Sequence, residues 1–121
     1  MNENQCVLAC VTAQKDCARL IRKGSELAKA ADVPLRVLHV NMGSTSLTSP
    51  DSANILNELF SLAHECSADM DILYEQDVAA AIARYAQEAG AILLVLGPDR
   101  TGTASRVRRL LPEDIRIEAF E

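Results

Sequence analysis

No CxxC pair and no cysteine/histidine finger spacing occurs in this chain, although it holds four cysteines, Cys6, Cys10, Cys17 and Cys66. Zinc ribbons, thioredoxin-type redox motifs and disulfide frameworks are therefore not expected. Cys6 and Cys10 share strand parity and read as small apolar side chains on one face. No apolar run approaches the length that spans a bilayer. The opening residues, Met1 to Gln5, are polar and acidic and lead directly into an apolar segment, so no signal peptide is expected. The chain reads as cytoplasmic. An excess of positive charge is also missing: 12 Lys and Arg stand against 17 Asp and Glu, a net charge of −5. That balance weighs against nucleic acid or an anionic membrane as the main partner. Neither linker nor internal repeat interrupts the 121 residues, and one domain over 1–121 is expected.

The usual catalytic groupings are missing as well. The two histidines, His39 and His64, have no neighbouring serine or cysteine nucleophile in an elbow and no readable acidic partner. His39 reads as a core or near-core residue at a strand end, and His64 as a solvated helix residue. Asp69 with Asp71, and Glu113 with Asp114, read as solvated surface. No enzymatic activity is expected.

What is present is strict alternation of strand and helix patterns. Gln5 to Val11 is a continuous apolar segment of β-formers, as a strand covered on both faces should be. Cys17, Leu20, Ile21, Gly24, Leu27, Ala28 and Ala31 then recur at helical spacing, with Thr12 as N-cap and Asp32 and Pro34 ending the helix. A second strand spans Leu35 to Val40. After a polar serine/threonine-rich loop, Ser49 and Pro50 open a helix carrying Leu56, Leu59, Phe60, Ala63 and Cys66. Met70 to Tyr74 is a third strand. Asp77 caps a helix with Val78, Ile82, Tyr85, Ala86 and Ala89 on its inner face, closed by Gly90. The fourth strand is Ala91 to Leu96, the fourth helix carries Ala104, Val107, Leu110 and Leu111, and Ile115 to Phe120 alternates as an edge strand would. The fold class is α/β: a single open five-stranded parallel sheet, order 3-2-1-4-5, with helices on both faces.

In that order the topological switch falls between the first and fourth strands, and ligands of such sheets bind beyond the carboxyl ends at the switch. Thr12 and Gly97 flank this crevice. Gly97 lets a ligand approach the backbone, and Gly102, Thr103 and Ser105 offer amides and hydroxyls at a helix N-terminus. Arg100 and Arg106 can add charge-assisted bonds. The candidate binding residues are Thr12, Val40, Gly97, Arg100, Gly102, Thr103 and Ser105, with no metal and no certain cofactor, ATP or AMP being the candidates. The alternative is that both glycines serve turn geometry and Thr103 is only a cap. Arg106, Arg108 and Arg109 read as a solvated face that complements the helix C-terminal dipole.

The segments VLACVTAQKDCARLIRKGSELAKAADVPLRVLHV and VLGPDRTGTASRVRRLLPEDIRIEAF resemble the universal stress protein domain across nearly the whole chain. The similarity is nearest to the copy inside KdpD-type potassium-sensor histidine kinases. The resemblance implies the adenine nucleotide α-hydrolase-like form of the fold. Nucleotide-binding relatives carry an aspartate after the first strand and a G-x2-G-x9-G-[ST] loop after the fourth. Here the aspartate position is Thr12, the first glycine is Gly97, the middle glycine falls on Arg100, and the final pair is Gly102-Thr103. The loop is also several residues short, which implies weak or lost ATP binding and no hydrolysis. The resemblance therefore implies a non-catalytic regulatory or sensory domain. The alternative is a module taking an adenine nucleotide or a cyclic dinucleotide between the first and fourth strands. Two partner modes follow: a homodimer through the C-terminal strand, and a protein signalling partner.

Overall fold

The computed structural model describes residues 5–11, 18–41, 50–97 and 103–119. Its elements are β1 (Cys6–Val11), α1 (Ala18–Ala31), β2 (Leu35–Asn41), α2 (Pro50–Glu65), β3 (Asp69–Tyr74), α3 (Val78–Ala89), β4 (Ala91–Leu96), α4 (Thr103–Leu110) and β5 (Arg116–Ala119). The strands form one sheet of order β3-β2-β1-β4-β5. Every ladder is parallel. The sequence expectation for fold and order is met.

Strand alternation divides the core into two layers. Val7, Ala9 and Val11 of β1 join Leu35 and Val37 of β2 against Leu20, Ile21 and Ala28 of α1 and Leu56, Leu59 and Ala63 of α2. Cys6 and Leu8 face the opposite way, with Leu38 and Leu94, against the alanine-rich α3 and Val107 of α4. Central strands covered on both faces are continuous in apolar residues for this reason. Gly24 lets α1 sit close on the sheet: a Cβ there would lie 2.9 Å from Leu35 Cδ1 and 3.4 Å from the Ala9 Cβ.

The amino edge of the sheet is closed by three helix C-termini. Gly90 adopts the left-handed conformation at φ 75°, its amide donating to the carbonyls of Ala86 and Gln87. Asp32 and Ser67 take the same conformation, each at φ 57°. The next amides, of Val33 and Ala68, reach back to Ala28 and Ala63 in the six-to-one pattern of a Schellman ending.

Several expected inner-face residues lie elsewhere. Phe60 is 44% exposed and Leu110 47%. Both belong to helices over edge strands, where one flank of the helix has no strand beneath it. Ala31, the last residue of α1, is exposed, and Ser25 is buried in its stead. The fifth strand runs Arg116–Ala119, shorter than expected; Phe120, Cys17, Ser49 and the Asn41 to Pro50 loop from 42 to 49 lie outside the described residues. Asp71 is not merely solvated. The Tyr85 hydroxyl donates to its Oδ2 and accepts from Arg36 Nη1 at 3.5 Å, strapping α3 across β2 and β3.

Candidate functional site

The central strand ends where its two ladders part. Val11 is still opposite His39 on β2, but the last pair with β4 is Ala9 opposite Val95. Beyond that pair lie Val11 on one side and Leu96 with Gly97 on the other, at the carboxyl edge where open sheets bind ligands. Gly97 is half-buried. Its φ is outside the left-handed region, and a Cβ would meet, among the described residues, only Leu20 Cδ1 at an ordinary 3.5 Å. Neither the backbone conformation nor the described neighbours require glycine at this position.

Val40 is half-buried beside the α3/α4 layer. Its neighbour His39 faces the other layer and is 6% exposed. The imidazole Nδ1 lies 3.1 Å from the Val11 carbonyl oxygen. A carbonyl can only accept, so Nδ1 is the protonated nitrogen. The sequence placed His39 near the core, as found, but nothing in it signalled the bond to β1. Thr103 opens α4, and Ser105 is exposed in its first turn. Thr12, Arg100 and Gly102 lie outside the described residues.

Arg106 is not simply a solvated arginine beside a helix C-terminus. It pairs with Asp77 Oδ2 at 3.1 Å, and Asp77 Oδ1 caps α3 through the Ala80 amide at 3.1 Å. That amide, and then Arg106, hold the Asp77 carboxyl below its ordinary range. The contact joins the N-termini of α3 and α4 on one side of the carboxyl edge.

The remaining chemistry is quiet. Burial pushes the Cys10 thiol up to about 12, although the residue as a whole keeps some exposure. Cys6 is raised by burial too, against a smaller lowering by Arg36, and its Sγ lies 3.6 Å from the Ala89 carbonyl. Neutral buried thiols of this kind fill space. Among the described residues, no group of three or more His, Cys, Asp or Glu is placed to hold a metal ion, and no helix is long and apolar enough to cross a membrane.

The profile of the universal stress protein family matches residues 3–111. The chain belongs to this family. Solved structures share the fold at low identity. A universal stress protein from Archaeoglobus fulgidus is 20% identical with a TM-score of 0.74, covering 97% of this chain and 93% of that one. A structure of the protein from the same organism in complex with dAMP is 21% identical, TM-score 0.73, covering 97% and 98%. A universal stress protein in complex with cAMP is 14% identical, TM-score 0.71, covering 97% of each. No curated protein sequence matches. The universal stress fold thus accounts for both layers and for the switch between β1 and β4.

Proposed function

We propose that this universal stress domain is a non-catalytic, cytoplasmic regulatory module whose crevice between β1 and β4 takes an adenine nucleotide. The observation that carries the reading is Gly97, a glycine at the switch point that neither backbone conformation nor packing among the described residues demands. The short loop after β4 and Arg100 in place of a glycine favour a compact ligand over a triphosphate. Support for the ligand class comes from the fold neighbours solved with dAMP and cAMP. A cyclic dinucleotide is the second reading, since it presents the same adenine and a phosphate without a triphosphate tail. The finer kinship to the KdpD-type kinase domain belongs to the same proposal, resting on the β1–α1 segment and the His39-Val40 end of β2.

Signal output would pass through a protein partner or a homodimer along the free edge of β5. On that strand Arg116 and Glu118 already pair at 3.6 Å, so a dimer must redirect one of them. Titration calorimetry with dAMP, cAMP, ATP and a cyclic diadenylate tests the ligand reading. A monophosphate or cyclic ligand binding more tightly than ATP supports it; no heat from any of the four at millimolar concentration overturns it. Sustained phosphate release from ATP would overturn the non-catalytic part.

A further inference from the structure

We infer that His39 is the positioning residue of the crevice: its Nδ1–H anchors the Val11 carbonyl and so fixes the end of β1 from which the chain enters Thr12. The inference rests on the nucleotide-binding reading of the same crevice.

The β1–β4 ladder has already ended at Val11, while the strand still needs its carbonyl paired. The His39 imidazole supplies that partner from the facing position on β2, at 3.1 Å and almost wholly buried. A leucine or phenylalanine would fill the same space and leave the carbonyl without this bond. The anchor also sets the ring, since the carbonyl can only accept and Nδ1–H must point at it. No side-chain nitrogen or oxygen sealed from solvent lacks a partner among the described residues. His39 and Val40 then divide the work at the end of β2, one tethering the neighbouring strand and the other packing toward α3 and α4.

The test uses the full chain and three substitutions. His39→Asn keeps an N–H at the δ position, His39→Gln moves it outward, and His39→Phe removes it. Affinity for dAMP is expected to stay within about threefold in the Asn variant and to fall by about tenfold in the Gln and Phe variants, a hydrogen bond's worth. Rescue by Asn alone separates anchoring from mere space filling. Equal binding by the Phe variant, or equal loss in the Asn variant, overturns the inference while leaving the nucleotide reading intact. A second measurement needs no ligand and no substitution. Nitrogen-15 spectra of the imidazoles are expected to show a proton on His39 Nδ1. A His39 whose Nδ1 carries no proton overturns the anchor. If the wild type binds no dAMP, the nucleotide reading fails by itself; amide exchange at Val11, expected to be faster in His39→Phe than in His39→Asn, then decides whether the anchor holds the end of β1.

Discussion

Gly24 and Gly97 occupy opposite kinds of place in one fold. Around Gly24 the sheet and α1 are so close that a methyl group would displace the tip of Leu35, whose Cδ1 lies 2.9 Å from where a Cβ would stand. Around Gly97 the nearest described atom, on Leu20, is at 3.5 Å, and the backbone imposes no left-handed strain. The first glycine is favoured by the protein's own packing. The second is required by nothing among the described residues. The interior and amino half of the molecule have their groups matched to one another, by packing, Schellman endings and the Arg36–Tyr85–Asp71 strap, whereas at Gly97 on the carboxyl edge the described neighbours leave room for a side chain.

Substitution at Gly24 gives the largest expected effect. Gly24→Val forces α1 off the sheet or Leu35 out of its rotamer, a loss of about 2 to 3 kcal/mol by urea unfolding. In Gly24→Ala, about 1 kcal/mol of helix propensity offsets most of the crowding, since only the tip of Leu35 has to move. A valine tolerated without loss would erase the contrast. Next comes Tyr85→Phe, which removes the hydroxyl shared by Arg36 and Asp71 and costs about 1 kcal/mol at neutral pH. Burial, then the bond to Asp71, pushes the phenol from 10.0 up to about 12. The unfolded chain gives up this proton first, so its contribution is complete below pH 10 and is lost as pH climbs toward 12. Cys10, raised from 9.0 to about 12 by burial, adds a loss of the same sign. The variant should therefore show a shallower alkaline decline than the wild type, not a flat one.

The halves also differ in how far the sequence discloses them. β4 and both caps of α3 follow from local chemistry: an apolar run, an aspartate whose side chain meets the Ala80 amide, and a glycine in the left-handed region. The strand order follows from alternation and connection rules. Phe60 and Leu110 were misplaced because helical periodicity reports an apolar stripe but not how far the sheet extends beneath it. At the site, Gly97 was legible as a glycine after a buried strand. His39 was legible only as a buried histidine, because its partner is a carbonyl 28 positions away in sequence, and a backbone acceptor carries no side-chain signature. Asp77–Arg106 was hidden likewise: each residue had a local explanation, cap and dipole partner, that concealed the other.

Ser67→Gly sharpens the comparison from the amino edge. Ser67 holds φ 57° between α2 and β3, where its Cβ is strained and glycine is not. Part of the relief is offset by the extra freedom of glycine in the unfolded chain, so a gain of about 0.5 to 1 kcal/mol is expected in the denaturation midpoint. Asp32→Gly should gain less, since aspartate tolerates this conformation better than most residues.

Gly97→Ala carries the smallest stability change and the most information. With φ outside the left-handed region and an ordinary contact to Leu20, alanine fits without strain. It also narrows the unfolded ensemble, so stability should hold or rise by about 0.5 kcal/mol. Its methyl group would stand in the space that the nucleotide reading assigns to a ligand, and under that reading affinity for dAMP should fall. A variant as stable as the wild type but weaker in binding would show that the space belongs to a ligand. A variant that loses stability on the scale of Gly24→Val would show that the carboxyl edge is packed after all, and the two glycines would no longer be different in kind.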